Sequence, residues 1–219
     1  MDVQIQVCEI FVSIQGESTY TGCPCFFIRL AGCNLHCVYC DTAYARSEGN
    51  PQTISGLLEQ FRATGLILAA VTGGEPLIQP GTVALLKRLQ SQGTVLIETN
   101  GSQDISVIPP AVIAVMDIKC PASGASQAMD WGNIQRLRPR DEVKFVISDR
   151  NDYLWACQVM REYQLSQRCH AVLMSPVFDP SADGLKPAEL AAWIIQDRLP
   201  VRLNLQMHKY IWAAATRGV

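Results

Sequence analysis

Short apolar runs, separated by segments with helical features, are what most restricts the fold of this 219-residue chain. The continuous hydrophobicity of these runs is typical of parallel strands covered on both faces. They occupy Cys25–Leu30, Ile67–Val71, Thr94–Glu98, Val112–Lys119, Glu142–Ile147, Ala171–Met174 and Val201–Leu205. Helices are predicted between them at Ser55–Ala63, Thr82–Gln92, Asn151–Tyr163 and Pro187–Gln196. Asn151-Asp152 is the predicted N-cap of the third helix, and Pro187 fits the first turn of the fourth.

Repeated strand–helix units with right-handed crossovers predict an α/β architecture. About six or seven units are visible, fewer than a closed eight-fold barrel needs, so an open, partial (β/α) barrel is favoured. A doubly wound sheet is the alternative. No repeat or linker divides the sequence, which predicts a single domain over residues 1–219. In either architecture the functional residues gather at the carboxyl ends of the strands.

Charge and hydropathy exclude several classes of partner. The net charge is −2 and the pI is near 5.9, so no overall positive field attracts nucleic acid or an anionic membrane. The N-terminus lacks the basic and apolar regions of a signal peptide. The longest apolar runs, Leu66–Val71 and Ala111–Met116, are too short to span a bilayer. We therefore predict a cytoplasmic protein without a membrane partner.

Nine cysteines in a chain of this length, without an export signal, favour reduced thiols or metal ligation over disulfides. Four of them stand scattered in mostly apolar surroundings and are predicted to be ordinary buried thiols: Cys8, Cys120, Cys157 and Cys169. Cys33, Cys37 and Cys40 differ, because the spacing C-x3-C-x2-C suits one soft metal centre.

Three local thiolates leave a metal centre one ligand short. A structural zinc site is closed by four ligands, and an ordinary iron–sulfur cluster is held by four cysteines. Cys23 or Cys25 could add a ligand to the group, and a structural zinc knuckle completed by Cys25 or His36 remains an alternative. An open coordination position, by contrast, is a feature of metal sites that perform chemistry.

Polar residues follow almost every predicted strand. The glycine pair Gly73-Gly74 lets the backbone approach a ligand, although a tight turn explains it equally well. Arg29 could hold a carboxylate in a bidentate contact, or could simply be solvated. The other candidates in such positions are Tyr39, Thr72, Glu75, Glu98, Asp117, Lys119, Ser175 and His208. A chain with a merely structural barrel would not need polar groups at so many strand ends.

The C-x3-C-x-aromatic-C motif of Cys33–Cys40, followed by Gly73-Gly74-Glu75-Pro76, resembles the signature of the radical S-adenosylmethionine enzymes. Segments along nearly the whole chain resemble one family among them, the 7-carboxy-7-deazaguanine synthases. These segments are Glu9–Glu17, Gly22–Thr42, Val71–Pro76, Glu98–Gly101, Asp117–Pro121, Leu137–Val146 and Leu205–Lys209. In two places the chain departs from the family pattern: Met207 stands where a small polar residue is expected, and Ala213–Val219 extends beyond it. Whether Val219 contributes to a substrate pocket stays open.

The resemblance implies a lyase that converts 6-carboxy-5,6,7,8-tetrahydropterin to 7-carboxy-7-deazaguanine with loss of ammonia, in queuosine biosynthesis. A deoxyadenosyl radical, formed from S-adenosylmethionine, would abstract the hydrogen at C6 before the ring contracts. It implies that Cys33, Cys37 and Cys40 hold a 4Fe-4S cluster and that Thr42 ligates Mg²⁺. Cofactor contacts would come from Tyr39, Asp41, Gly74, Glu75, Glu98, Asp117, Lys119 and Ser175. The substrate would meet Ile14, Gln15, Gly16, Arg29, Thr72 and His208.

The implied partners are an electron donor such as flavodoxin or ferredoxin and a second copy of the chain in a homodimer. Two other functions stay open at this stage. An activating enzyme for glycyl-radical proteins has similar cluster spacing and a similar Gly-Gly-Glu-Pro loop, but acts on a protein. A non-catalytic zinc- or cluster-binding module would bind metal without turnover.

Overall fold

The computed structural model describes residues 2–178, 184–212 and 217–219. Nine strands form one sheet in the order β3-β1-β2-β4-β5-β6-β7-β8-β9. The strands are β1 Gln4–Ile14, β2 Pro24–Leu30, β3 Asn50–Thr53, β4 Leu68–Gly73, β5 Thr94–Thr99, β6 Ile113–Asp117, β7 Glu142–Ile147, β8 Ala171–Pro176 and β9 Arg202–Leu203. Strand β2 and strands β4 to β9 run parallel, whereas β1 is antiparallel to both of its neighbours.

Most helices lie in the crossovers between parallel strands. They are α1 Ile54–Thr64, α2 Thr82–Leu89, α3 Asn133–Arg136, α4 Arg150–Tyr163, α5 Leu165–Arg168, α6 Pro187–Gln196 and α7 His208–Ile211. The four predicted helices correspond to α1, α2, α4 and α6, and Pro187 occupies the first turn of α6 as predicted. The predicted N-cap of α4 is wrong: Asp149 caps this helix, and its carboxylate accepts from the Asp152 backbone N–H at 2.9 Å.

All seven predicted strands are present, although their ends shift. Strand β4 begins one residue later than predicted and continues to Gly73, so Thr72 and Gly73 lie in the strand and not in the following turn. Strand β9 keeps only two of its five predicted residues. Strands β1 and β3 were not predicted. They extend the sheet beyond β2, at the edge opposite β9.

The two faces of the sheet carry different side chains. Apolar residues of the outer face, such as Val71, Ile97 and Phe145, pack in one core with the buried sides of the helices. On the inner face a smaller apolar cluster around Phe27, Ala70 and Leu96 lies toward the amino ends of the strands. Because successive side chains of a strand alternate between faces, the remaining inner positions are free for polar groups.

The sheet is not closed, which confirms the predicted partial barrel. Strands β3 and β9 are its two edges, with β3 paired only to β1 and β9 only to β8 among the described residues. The alternative of a doubly wound sheet is wrong, because the buried apolar residues of α1, α2, α4 and α6 all belong to the core on the outer face. No helix in the described ranges is long and apolar enough to cross a membrane.

Three of the four scattered cysteines, Cys120, Cys157 and Cys169, are buried as predicted. Cys8 is only half-buried. Its position explains this difference, because the register between β1 and β2 shifts between Val7 and Glu9. A β-bulge leaves its extra residue outside the regular pairing and turns its side chain away from the alternating pattern.

Candidate active site

A cavity of about 240 Å³ opens at the carboxyl ends of the parallel strands. Inner-face residues of five successive strands line it: Arg29 on β2, Thr72 on β4, Glu98 on β5, Asp117 on β6 and Lys144 on β7. The strand register places Arg29 opposite Thr72 and Asp117 opposite Lys144. Four of these five residues, all except Lys144, were candidates from the sequence, and they converge on one cavity.

The loop with the three cysteines follows β2 and is fixed by backbone hydrogen bonds. The Gly32 N–H donates to the Ala45 carbonyl at 2.8 Å, and the Val38 N–H donates to the Ser123 carbonyl at 3.0 Å. The Glu75 N–H donates to the Gly32 carbonyl at 2.9 Å, which joins this loop to the turn after β4. The loop is thus held from three directions before any ligand binds.

The glycine pair after β4 allows this close approach. A Cβ on Gly74 would collide with the Gly32 carbonyl oxygen and would lie 2.7 Å from the Cys33 Cβ. Gly73 has φ of +138° and lies equally close to the Leu30 backbone. The glycines therefore let the two loops touch, a reason that neither the ligand nor the plain-turn interpretation of the sequence contained.

Cys33, Cys37 and Cys40 are half-buried, and all three line the cavity. Among the described residues no group of three His, Cys, Asp or Glu side chains is spaced to hold a single metal ion. In a 4Fe-4S cluster each cysteine binds a different iron, so the three thiols need not meet at one point. The donor set therefore suits a cluster, for which thiolates are the preferred protein ligands.

The residues considered as a fourth metal ligand do not lie with the three cysteines. Cys25 is fully buried at the start of β2, at the opposite end of the strand from the cysteine loop. Burial raises the pKa of its thiol far above the usual value. Cys23 and His36 are exposed, and neither they nor Cys25 are part of the cavity wall.

A network of ion pairs fills one side of the cavity. The Lys144 ammonium lies 2.6 Å from a Glu17 carboxylate oxygen and 3.4 Å from Asp117, and Lys119 lies 2.9 Å from Asp117. Burial disfavours the Lys144 cation, but the carboxylates of Glu17 and Asp117 outweigh this and raise its pKa well above the usual value. Lys144 therefore stays charged at neutral pH.

Glu98 has a different environment. Its carboxylate accepts a hydrogen bond from the Thr72 hydroxyl at 2.7 Å. Burial raises its pKa, and the positive charge of Lys144 only partly offsets this effect. Glu98 is therefore the carboxyl group of this wall that most readily takes up a proton.

Residues 206–209 close the cavity from the far end of the chain. The Met207 N–H donates to the Gly16 carbonyl at 2.9 Å, and Lys209 pairs with Asp41 at 2.6 Å. A Cβ on Gly16 would collide with the His208 imidazole, so a glycine is required where the two segments cross. Burial lowers the pKa of His208, which makes the neutral imidazole the form present at pH 7.

Two arginines line the cavity beside β1 and β2. The Arg29 Nε donates to Glu9 at 2.9 Å, and the guanidinium lies over the Phe11 ring at 5.5 Å from its centroid. Arg46 follows the cysteine loop on a short 3₁₀ turn, Ala43–Arg46. Its Nε is buried and has no hydrogen-bond partner within the described parts of the chain.

Two other buried polar atoms of the cavity wall also lack partners among the described residues: Gln15 Nε2 and Asp117 Oδ1. A buried polar group without a partner costs free energy, so such groups are rare in folded proteins unless a ligand or water satisfies them. An amide donor and a carboxylate acceptor on the same cavity wall fit a ligand that carries both donors and acceptors.

The structure brings most of the predicted site residues to this cavity. Those on its wall are Ile14, Gln15, Gly16, Arg29, Cys33, Cys37, Tyr39, Cys40, Asp41, Thr42, Thr72, Gly74, Glu98, Asp117, Lys119 and His208. Val219, left open from the sequence, lines it as well.

Two predicted site residues are not part of the wall. The Glu75 carboxylate is fully buried and accepts from the Thr99 hydroxyl at 2.9 Å and the Asn100 N–H at 2.6 Å. Ser175 is buried and accepts from the Asn204 amide at 2.8 Å. Their contacts with a cofactor stay predictions.

Sequence reasoning missed several residues of the wall: Glu17, Arg46, Lys144, Gln206 and Lys209. Lys144 could have been found, because Glu142, Lys144 and Val146 alternate with the apolar Val143, Phe145 and Ile147. Glu17 and Lys209 stood in segments used for the family resemblance without a role being given to them. For Arg46 the sequence contains no such signal.

The model of the radical SAM superfamily matches residues 27–115, a span that contains the cysteine loop and the glycine pair. The open barrel and the cavity-facing thiols define the same class of protein. A 7-carboxy-7-deazaguanine synthase from Koribacter versatilis is 41% identical over 228 residues, which cover 98% of this chain and 100% of the relative. One from Chlorobaculum tepidum is 41% identical over 222 residues, covering 100% of this chain and 99% of the relative. The chain belongs to the family of 7-carboxy-7-deazaguanine synthases.

The fold agrees with a solved structure. The crystal structure of QueE from Escherichia coli superimposes with a TM-score of 0.74, at 21% identity, over 94% of this chain and 95% of that one. Membership of the superfamily implies a 4Fe-4S cluster and S-adenosylmethionine as cofactors. The full-length relatives favour this family over an activating enzyme for glycyl-radical proteins and over a non-catalytic metal-binding module.

Proposed function

We propose that this chain converts 6-carboxy-5,6,7,8-tetrahydropterin to 7-carboxy-7-deazaguanine and ammonia. The product and ammonia together contain the atoms of the substrate at the same oxidation level, so the reaction consumes no net oxidant. The observation that carries the proposal is a single cavity that places three cysteine thiols beside a ring of polar strand-end residues. The product would enter queuosine biosynthesis.

Cys33, Cys37 and Cys40 would hold the cluster. The fourth iron, which has no cysteine ligand, would be open to S-adenosylmethionine. When bound, these two groups supply the one-electron chemistry that takes a hydrogen atom from C6 and later returns it. The proposed cofactor contacts are Tyr39, Asp41, Gly74, Glu75, Glu98, Asp117, Lys119 and Ser175. For the wall residues among them, exposure to the same cavity as the cysteines supports the assignment.

The substrate would lie against the N-terminal loop and the end of β2. Gln15 Nε2, which has no hydrogen-bond partner among the described residues, can donate to a carbonyl of the pterin ring, and neutral His208 can both donate and accept. Ile14 and Gly16 would contact the ring edge, Thr72 a polar ring atom, and Arg29 the carboxylate. The tight fit of Gly16 against His208 holds these two groups in fixed positions.

Thr42 would contribute one ligand to a Mg²⁺ ion that also binds the substrate carboxylate. Magnesium commonly keeps few protein ligands and completes its shell with water and substrate. Thr42 lines the cavity two residues after Cys40, which supports this assignment. A flavodoxin or ferredoxin as electron donor, a homodimer, a cytoplasmic location and a single domain over residues 1–219 complete the proposal.

Turnover by the anaerobically reconstituted, reduced protein tests this function. We expect the carboxypterin and S-adenosylmethionine to give 7-carboxy-7-deazaguanine, detected by mass spectrometry, with the cofactor regenerated. Cys40→Ala should abolish both the iron–sulfur absorbance and turnover, because it removes a cluster ligand. Cys23→Ala is the matched control, since Cys23 is exposed and outside the cavity. It should change neither.

Two results would contradict the proposal. One is a cluster-loaded protein that cleaves S-adenosylmethionine without forming the deazaguanine product. The other is tightly held zinc without labile sulfide, which would return the chain to the class of metal-binding modules. Formation of a glycyl radical on a partner protein would instead favour the activating-enzyme alternative.

A further inference from the structure

Almost every cation on the cavity wall has an acidic partner. Among the described residues, Lys119 pairs with Asp117, Lys144 with Glu17, Lys209 with Asp41 and Arg29 with Glu9. The N–O distances of these pairs lie between 2.6 and 2.9 Å. In each case a carboxylate already compensates the positive charge before a ligand arrives.

Arg46 is the exception. Within the parts of the chain that the structure describes, its guanidinium has neither an ion pair nor a hydrogen bond, and its Nε is buried. A guanidinium presents five N–H donors and no acceptor, so only acceptors can satisfy it. Leaving such a donor group buried and unpaired is unfavourable. The side chain therefore fits an anionic ligand in the cavity.

The surroundings of Arg46 place it at the β1–β2 end of the cavity. Tyr44, two residues earlier, donates from its hydroxyl to the Glu9 carboxylate at 3.1 Å, the same oxygen that accepts from Arg29. Asp117 and Lys119 follow β6, three strands farther along the sheet. The Gly32 N–H, just after β2, donates to the Ala45 carbonyl at 2.8 Å, so the turn that carries Arg46 lies at the same end of the cavity as the end of β2 that carries Arg29. Of the arginine and lysine side chains on the cavity wall, Arg46 alone has no carboxylate partner among the described residues.

We propose that Arg46 binds the carboxylate of the substrate, together with Arg29, and so makes the enzyme specific for a carboxylated pterin. This inference rests on the proposed function and adds a residue to its binding site. Arg29 is restrained by its ion pair with Glu9 and presents a fixed donor. Arg46 supplies a positive charge that has no carboxylate partner among the described residues, as a carboxylate needs in a partly buried site.

Equilibrium binding of two oxidised pterins tests this role without turnover. The probes are 6-carboxypterin and pterin, which differ in the carboxylate, titrated into the reconstituted protein by fluorescence. Wild-type protein should bind 6-carboxypterin more tightly. Arg46→Gln should weaken 6-carboxypterin binding by about 10- to 100-fold, the range for losing a charge-assisted hydrogen bond, and leave pterin binding unchanged. Arg46→Lys should restore part of the loss.

The controls separate this role from a structural one. Arg62→Gln removes an exposed arginine on α1, outside the cavity wall, and should leave both affinities unchanged. S-adenosylmethionine binding should be the same in wild-type and Arg46→Gln protein. The melting temperature of the ligand-free protein should not fall, because among the described residues Arg46 makes no hydrogen bond that the substitution would break.

Three outcomes would overturn the inference: equal loss for both pterins, no loss for either, or a loss confined to S-adenosylmethionine. Its failure is distinct from failure of the proposed function. Wild-type protein that forms the deazaguanine product while Arg46→Gln binds 6-carboxypterin normally would remove the role of Arg46 alone. If the wild-type protein does not form the deazaguanine product, the proposed reaction itself is wrong.

Discussion

The two faces of the sheet use the same strands for different purposes. On the outer face Val71, Ile97 and Met116 are fully buried against the helices, whereas their neighbours on the inner face are Thr72, Glu98 and Asp117. The outer positions contribute hydrophobic burial, which is not directional. The inner positions contribute charges and hydrogen bonds that depend on geometry. Stability and chemistry are therefore assigned to alternate residues of one strand.

The largest expected loss of stability comes from a substitution in the core of the outer face. Phe145→Ala on β7 should lower the free energy of unfolding by about 4 kcal/mol, because it leaves a cavity where a fully buried ring packs. Urea denaturation followed by tryptophan fluorescence measures this change. Trp155 is a suitable reporter, since its ring meets the Phe145 ring edge-on at 6.3 Å.

In the fraction that remains folded, Phe145→Ala should bind 6-carboxypterin as the wild type does. Leu154→Ala, at a half-exposed position of α4, is the control and should cost less than about 0.5 kcal/mol. A Phe145→Ala protein of normal stability, or one that loses ligand affinity while folded, would contradict the division between the faces.

The neighbouring inner residue should affect both properties. Lys144→Met should cost about 3 kcal/mol, because removing one partner of a buried ion pair leaves Glu17 uncompensated. The cost lies at the lower end of the range for buried pairs, because Lys144 and Glu17 keep 11% and 13% of their side chains exposed. Urea denaturation measures the cost.

Ligand binding distinguishes this variant from Phe145→Ala. The affinity for 6-carboxypterin should fall roughly tenfold, equivalent to about 1.4 kcal/mol, as the unpaired Glu17 carboxylate repels the anionic ligand. Lys87→Met removes an exposed lysine of α2 and should change neither quantity. Unaltered affinity in Lys144→Met would mean that the inner ion pairs serve only the fold.

The smallest expected effect is a gain in stability, on substitution of Glu98. Burial raises the pKa of Glu98, so the folded state binds its proton more strongly than the unfolded state does. The Glu98 carboxylate therefore lowers the free energy of unfolding at neutral pH. This penalty disappears as the pH falls through the raised pKa toward 4.5, the ordinary pKa of a glutamate. Glu98→Gln should stabilise the protein at pH 7 by on the order of 1 kcal/mol or less.

Urea denaturation at several pH values between about 5 and 8 checks this sign. The stability difference between Glu98→Gln and wild type should shrink as the pH decreases. A stability difference that grows toward low pH would contradict this prediction. It would mean that the positive charge of Lys144 outweighs burial and keeps Glu98 ionised.

The outer face could be predicted because its information is local. Continuous apolar runs located all seven parallel strands, and the helix signals located the four longest helices. Strand β1 was missed although Gln4, Ile5, Gln6 and Val7 alternate, and Ile5 and Val7 are buried. That omission hid the Glu9–Arg29 ion pair, which follows directly from the antiparallel register of β1 with β2.

The inner face could be predicted only in part. Strand ends identified which polar residues approach the cavity, because parallel strands bring their carboxyl ends together. They could not reveal which charges are paired, since partners such as Glu17 and Lys144 are 127 residues apart. Arg46 follows the cysteine motif in a short turn, where no periodicity indicates the direction of a side chain. Charge balance in the folded cavity was needed to single it out.

The crossing of residues 206–209 over the N-terminal loop has a consequence for how the molecule assembles. The hydrogen bond between Gln206 and Glu17 joins residues 189 positions apart, and that between Lys209 and Asp41 joins residues 168 apart. We expect contacts so distant in sequence to form late in folding, because closing long loops costs conformational entropy. The sheet and its helices can therefore be in place while the cavity mouth is still unformed. We therefore expect the ability to enclose a ligand to be acquired last during folding.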